Sequence, residues 1–288
     1  IDPCMLFLIG LLKMSSKTPL VSVVMPAYNA EKYISEAIES ILNQTFKDFE
    51  FIIIDDASTD RSFEIIKKYE SLDSRISVLS NPENLNVARS RNRGISVSKG
   101  KYVANMDADD ISKPTRINDQ VNYLELNQDV DICIGNIGVI DGEGRFQYTR
   151  IYPLTDSALK SKVFRYNPFP NPTIFCRKYV YEKIGGYDSS FILNEDFDFW
   201  LRAGTQFKFG NCGKIVLDYR VVEGSASHKK LRLTERLTFK LRLKAIKLGY
   251  KFTIGDLFFN LFHFISYLLL PSGLKIKLFD LLRRNKII

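Results

Sequence analysis

Three carboxylate clusters in this chain are spaced for chemistry: Asp55-Asp56, Asp107-Ala-Asp109-Asp110 and Glu195-Asp196. The middle cluster follows Tyr102 to Met106, an apolar run broken only by Asn105 that reads as a short buried strand. Side chains two apart on a strand point the same way, so Asp107 and Asp109 project together while the extension lasts. Carboxylates that close repel one another, and a fold keeps them most easily on a cation. All-oxygen ligands suit a hard divalent ion, Mn²⁺ or Mg²⁺, which usually shares its shell with substrate phosphates. The competing reading is a polar turn in which Asp110 caps the helix after Pro114. Glu195-Asp196 opens a helix with Phe197, Phe199, Trp200 and Leu201 behind it. A carboxylate at the mouth of an apolar helix can act as a general base, since burial raises its pKa towards working pH. Acids also favour any helix N-terminus on grounds of charge alone.

The elements that must position these groups follow a regular alternation. Val21 to Met25 is a strand ending at Pro26, followed by the loop Ala27-Tyr28-Asn29, and Glu31 to Leu42 has helical spacing. Phe49 to Ile54 is a second strand, and Ser58-Thr59-Asp60 supplies N-cap chemistry for a helix to Tyr69. Ile76 to Leu79 is a third strand, leading through Asn81-Pro-Glu-Asn84 to a helix over Val87 to Val97 that carries Arg89, Arg91 and Arg93. This order predicts a parallel sheet with helices on both faces. Ligands of such sheets bind beyond the carboxyl ends of the strands, the address shared by Tyr28, Asp56, the Asn84 loop, Asp107 and Asp109. A glycine-rich phosphate loop is absent from the first strand, which argues against a dinucleotide or P-loop site. Further on, Pro114 to Leu126 reads as a helix with proline at its first position, and Val130 to Ile134 as a strand. Asp141-Gly-Glu-Gly144 reads as a hairpin turn. Phe146 to Pro172 carries no clear period, and Asn167 to Pro172 is too proline-rich for anything but a loop. Thr173 to Cys176 is a strand and Lys178 to Ile184 a short helix.

Composition narrows the class. Cys4, Cys133, Cys176 and Cys212 are scattered and never at metal-ligand spacing, and there are only two histidines, His228 and His263. That argues for reduced thiols in the cytoplasm and against a zinc site. The net charge is +8, yet the stretch from Lys229 to the end alone carries +11, which leaves −3 for everything before it. The basic character belongs to the tail. There, Lys229 to Leu248 is helix-compatible, Leu257 to Leu270 is almost wholly apolar, and Lys275 to Arg284 is basic again. The apolar run is too short to span a bilayer core of about 30 Å. Basic residues around aromatic-rich helices suit the anionic inner leaflet of a membrane, or a second subunit. Nucleic acid is a poorer partner, because the basic residues alternate with aliphatics. At the other end, Leu6 to Leu12 lacks a basic leader and a cleavage site and is not read as a signal peptide.

Taken as an ordered set, Val21 to Met25 with Pro26-Ala-Tyr-Asn29, Ile54-Asp-Asp-Ala-Ser-Thr-Asp60, Ser90-Arg-Asn92 with Gly94, and Asp107-Ala-Asp109 resemble glycosyltransferase family 2. The resemblance covers residues 18 to 225 and implies the GT-A fold, a Rossmann-like α/β architecture with a mostly parallel sheet. It implies an inverting, metal-dependent transferase of hexosyl or N-acetylhexosaminyl groups from a nucleotide-sugar donor. By position, Tyr28 would stack on the base, with Pro26 in the same donor-binding motif; Asp56 would accept from the base, Arg91 would reach the nucleotide side, Asp107 would lie near the ribose, and Asp109 would hold the metal. Gly185-Gly-Tyr-Asp188 followed by Glu195-Asp196 and an aromatic helix would mark the acceptor side, with Asp196 as catalytic base and Glu195 and Trp200 beside it. Two positions depart from the family: many members carry histidine where Asn171 and Val222 stand, and His228 could replace the second only if its loop folds back. Asn86 also replaces a common glycine.

The expected organisation is an N-terminal arm over 1–17, a catalytic domain over 18–228 divided at residue 112 into donor and acceptor parts, and a helical tail over 229–288. The expected role is transfer of a sugar from a UDP-linked donor to a saccharide or lipid-linked acceptor in surface polysaccharide synthesis, at the inner face of the cell membrane. A sugar nucleotidyltransferase and a non-catalytic sugar-nucleotide-binding protein are the alternatives.

Overall fold

A computed structural model describes residues 18–221, 231–271 and 273–275, and within them nine strands join one sheet. The first four, β1 (Val21–Ala27), β2 (Phe49–Asp55), β3 (Ile76–Ser80) and β4 (Tyr102–Asn105), are mutually parallel. The helices between them are α1 (Ile34–Leu42), α2 (Ser62–Leu72) and α3 (Val87–Val97). Every residue of β1 and six of the seven in β2 are buried, as expected of strands covered on both faces.

The second half is mixed rather than parallel. It contains β5 (Ile111–Ser112), β6 (Ile132–Ile140), β7 (Phe146–Arg150), β8 (Phe175–Arg177) and β9 (Phe209–Arg220). The sheet runs β3-β2-β1-β4-β8-β6-β9-β5, with β7 on β6 through the Asp141–Gly144 hairpin turn. Strand β8 is antiparallel to β4 and β6, whereas β6 and β9 run parallel. Strand β6 is longer than its sequence pattern predicts because Gly135 and Gly138 belong to it. A Cβ on either would collide with Val216 or Asp218 of β9, so these glycines permit a close strand pairing instead of ending the strand. Helix α4 (Arg116–Leu126) starts later than expected: Thr115 is its N-cap and Pro114 lies outside it. The remaining helices are α5 (Asp156–Lys160), α6 (Tyr179–Ile184), α7 (Glu195–Ala203), α8 (Leu231–Lys247) and α9 (Ile254–Leu269), with a short 3-10 turn at Asn171–Thr173. Val222, His228, the arm over 1–17 and all of the basic segment after Lys275 lie outside the described residues. Among the described residues no helix is long and apolar enough to cross a membrane.

Candidate active site

The donor-side residues gather at the carboxyl ends of β1, β2 and β4. Pro26 is buried within β1, which pairs with β4 only as far as Val24 opposite Asn105. Val24 O accepts from Met106 N at 3.0 Å, so the next backbone nitrogen on that edge, Pro26 N, falls beyond the ladder and its missing proton costs nothing. Tyr28 follows at the surface, 50% exposed. Asn29, at φ 49°, ties this loop to the next: its Oδ1 accepts from Thr59 N at 2.8 Å and its N donates to Ser58 Oγ at 3.1 Å. Asp56 is only 3% exposed, and its Oδ1 accepts from Asn81 Nδ2 at 2.6 Å and Leu85 N at 2.9 Å. Asp56 therefore anchors the Asn81–Leu85 loop through its Oδ1. Asn86 stands at φ 71°, a conformation that suits the glycine common there. Its side chain compensates by capping α3, accepting from Ala88 N and Arg89 N.

The Asp107–Asp110 segment is a turn, with Asp110 N donating to Asp107 O at 3.4 Å, and the strand does not continue through it. Asp107 and Asp109 are thus neighbours across a turn rather than along an extended face. Asp110 does not cap α4. It is buried, and its Oδ1 accepts from Arg220 N at 2.9 Å while its Oδ2 has no hydrogen-bond partner. Burial first, then Asp109 and Asp107, hold its carboxyl well above the ordinary range. Asp109 keeps an exposed side chain. The protein around it withholds part of its hydration, and with Asp107's charge this pushes its carboxyl up to about 6. Arg220, which the sequence did not single out, fixes the turn from β9. Its Nε donates to Asp109 O at 2.8 Å, its Nη2 to Glu36 Oε2 at 2.5 Å, and its guanidinium lies 4.4 Å from the Tyr33 ring centroid.

Arg91 does not project to the nucleotide side. It is 1% exposed beneath the site, donating from Nη2 to Asp107 Oδ1 at 2.7 Å, with Nη1 3.7 Å from Glu195 Oε1. Burial opposes its charge, but Asp107 and then the groups around it outweigh that and raise its pKa. A helix residue of the donor half thereby grips the acceptor half. Its neighbour Asn92 does the same, accepting from Tyr187 N and donating to Tyr187 O, each at 2.8 Å. The turn that receives Asn92 needs both its glycines, Gly185 at φ 84° and Gly186 at φ 80°.

On the acceptor side, Asn194 at φ 61° introduces α7, whose first residues are Glu195 and Asp196. Asp196 Oδ1 accepts from Phe197 N at 2.7 Å and its Oδ2 from Asn167 Nδ2 at 3.1 Å. Burial is the main cause that raises its carboxyl above the usual 3.8. Glu195 is pushed up to about 7, by burial and then by Asp196. Trp200 corrects an expectation: at 0% exposed it cannot face an acceptor. It lies edge-on to Phe199, and its Nε1 donates to Asn171 Oδ1 at 3.1 Å. Asn171, in the position where family members often carry histidine, also accepts from Asn105 Nδ2 at 3.0 Å and Tyr187 OH at 3.2 Å. It is the hub of a buried polar network linking the end of β4 to α7. Asn167 and Arg220 are the site residues that sequence reasoning missed. Their only signal was position: Asn167 in the proline-rich loop, Arg220 beside Val222.

The donor set accepts a divalent cation in one limited sense. Among the described residues no three His, Cys, Asp or Glu side chains converge as a ready-made metal cluster. Asp107 gives one oxygen to Arg91 and is partly exposed, Asp110 is buried against Arg220, and Asp109 is the most exposed of the three carboxylates. One carboxylate plus water and substrate phosphates is a normal Mg²⁺ arrangement, so the residues present fit such an ion. A separate surface hollow of about 300 Å³, lined by Lys101, Glu125, Gln128, Arg177 and Tyr179, lies at the opposite end of β4, and its one carboxylate, Glu125, is paired with Lys101.

A parallel βα half with acidic turns at its carboxyl ends, joined to a mixed half carrying a carboxylate at a helix mouth, is the GT-A architecture. Residues 22–185 match the model of Glycosyl transferase family 2, and the chain belongs to that family. It is 38% identical over 207 residues to an uncharacterized glycosyltransferase of Methanocaldococcus jannaschii, covering 70% of this chain and 71% of that one. It is 31% identical over 231 residues to an Escherichia coli enzyme named as a UDP-Glc:alpha-D-GlcNAc-diphosphoundecaprenol beta-1,3-glucosyltransferase, covering 79% and 88% respectively. Among solved structures, Staphylococcus aureus TarS 1–349 with UDP superposes at TM-score 0.60 and 22% identity, over 77% of this chain and 64% of that one. The Pyrobaculum calidifontis mannosyltransferase PcManGT, with GDP-Man and Mn²⁺, gives 0.60 at 18% identity, over 89% and 72%. Both structures share the fold. The enzyme is a glycosyltransferase.

Proposed function

We propose that this enzyme transfers a hexosyl or N-acetylhexosaminyl group from a UDP-sugar to a hydroxyl of a lipid-linked saccharide, with inversion and with Asp196 as the base. The observation that carries the reading is the bridge made by Arg91. One buried guanidinium lies within reach of both Asp107 of the acid turn and Glu195 at the mouth of α7, so the two carboxylate clusters sit side by side.

Tyr28, half exposed at the end of β1, offers a free aromatic face to a base. A divalent ion, Mn²⁺ or Mg²⁺, held by Asp109 would supply positive charge against the diphosphate. Asp196 then takes the proton of the acceptor hydroxyl as its oxygen bonds to the anomeric carbon. The bond from that carbon to the diphosphate oxygen breaks on the opposite face, and its electron pair leaves with the nucleotide. Burial helps this step by raising Asp196 towards working pH, and Asn167 and Phe197 N fix its two oxygens. The acceptor class is supported by the Escherichia coli relative, whose name gives a lipid-diphosphate acceptor. The metal is supported by the Mn²⁺ bound in the Pyrobaculum structure.

Calorimetric titration of UDP into wild type and Asp109→Ala, with and without Mn²⁺, tests the donor half. Binding should require both the metal and Asp109. Metal-independent binding, equal in the two proteins, would take Asp109 out of this role.

A further inference from the structure

Helix α9 is built inside out. An ordinary surface helix turns its apolar stripe to the core and its polar face to water. Here the residues turned inward are polar: Asp256, His263 and Ser266 are buried, and Asn260 is partly so. They are bonded to the catalytic domain and to α8. Arg165 Nε donates to Asp256 Oδ1 at 3.2 Å, Asn260 Nδ2 to Phe164 O at 3.0 Å, and Arg242 Nη1 to Asn260 Oδ1 at 3.0 Å. The outward face is Leu257, Phe258, Leu261, Phe262, Ile265 and Leu268, with Phe258 66% and Phe262 60% exposed. The inward polar bonds fix the helix in this orientation, so the apolar face is presented rather than left over from poor docking.

Charge identifies the occupant. Within 231–275 the described residues include two acids, Glu235 and Asp256, and both are buried. By contrast Arg232, Arg236, Lys240, Lys247 and Lys251 are all exposed. The outer surface of the α8–α9 pair is therefore apolar and cationic with no exposed acid. That is the chemistry of an anionic bilayer surface, where apolar side chains enter the acyl boundary and lysine and arginine meet the headgroups. The 16 residues of α9 measure about 24 Å, which suits lying in the interface rather than crossing it.

We infer that α9 lies flat in the headgroup region of an anionic membrane leaflet, with the basic residues of α8 against the lipid phosphates. This rests on the proposed lipid-linked acceptor and gives it a geometry. The helical pair grips both segments that build the base. Asn194, directly before Glu195, donates to Thr234 O at 3.2 Å and Thr238 Oγ1 at 3.1 Å of α8. Arg242 Nη2 donates to Arg165 O at 2.8 Å, two residues before Asn167. A membrane-bound α9 thus holds the Asp196 side of the cleft near the lipid surface, where a lipid-linked hydroxyl resides.

The test is cosedimentation of the full chain with vesicles of phosphatidylcholine alone and of phosphatidylcholine with phosphatidylglycerol, without donor. Wild type should bind the anionic vesicles at least tenfold more tightly than the neutral ones, and added salt should weaken that binding. Phe258→Ser/Phe262→Ser should lower it at least tenfold, as should Lys247→Glu/Lys251→Glu, a pair at exposed positions that serves if the first variant folds poorly. Leu126→Ser, an exposed apolar residue on α4, should leave binding unchanged. Wild type that ignores both vesicle types would overturn the inference. So would self-association of the chain in solution that the phenylalanine changes abolish, since the face would then belong to a second copy. UDP titration of the same variants keeps this separate from the donor reading: lost vesicle binding with normal UDP affinity speaks only to α9.

Discussion

Arg91 Nη2 donates to Asp107 Oδ1 at 2.7 Å from a side chain that is 2% exposed, against 31% for its partner. The arginine is fixed by its surroundings and the carboxylate keeps one edge exposed. In the proposed mechanism Arg91 is a positioning residue: it orients Asp107 and holds Glu195 in reach.

Arg91→Ala should therefore destabilise the fold by about 3 kcal/mol, the low end for breaking a buried pair, because Asp107 retains some solvent. Arg91→Lys should recover part of the loss, since one ammonium cannot serve both acids as a planar fork does. Urea unfolding measures both. Equal stability of Arg91→Ala and wild type would remove the bridge from the account.

Tyr28→Ala should act oppositely, lowering affinity while sparing the fold. Its side chain is half exposed, so removal leaves no cavity. Loss of a stacked base costs on the order of 1–3 kcal/mol. UDP affinity should fall at least fivefold with an unchanged melting temperature. Unchanged affinity would place the base elsewhere.

His263 makes the α8–α9 pair sensitive to acid. Arg242 Nη1 lies 2.8 Å from His263 Nδ1, and a guanidinium can only donate, so Nδ1 accepts and the ring proton sits on Nε2. Burial, then Arg242 and Lys275, push its pKa down from 6.5 to about 4. In that window the unfolded chain binds the extra proton and the folded one does not. The contribution is therefore intact above pH 6.5 and lost as pH falls towards about 4. Thermal unfolding across this range should show a shallower acid slope in His263→Gln. An identical slope would exclude His263 as the source.

The first half of the fold was legible because its β-branched runs and helical periods agree with its tertiary burial; α3 occupies Val87–Val97, the range its sequence pattern predicts. The second half was legible only in part: its hairpin turn and the helices at Tyr179–Ile184 and Glu195–Ala203 follow their patterns, but β6 runs on through two glycines and the longest strand, β9, has no sequence signature. At the site, the chemistry-bearing carboxylates could be read as residue types in motifs. Their partners could not. Asp110 meets a residue 110 positions away, Arg220, and Asp196 one 29 positions away, Asn167, and no local pattern encodes either pairing. Trp200 misled because an aromatic beside a catalytic acid can face substrate or core, and its indole nitrogen had a buried acceptor in Asn171.

The most direct test of the account is sugar transfer by Asp196→Asn, read as UDP release from UDP-glucose or UDP-N-acetylglucosamine in the presence of an N-acetylglucosamine-diphosphate lipid. Transfer should fall by about 10²–10⁴-fold, the usual worth of a general base, with UDP affinity unchanged. Wild-type rates should decline on acidification at a pH above 3.8, because burial raises Asp196 and only its ionised form can take the proton. Transfer at the wild-type rate by Asp196→Asn would contradict the assignment of the base, and with it the reading of the cleft.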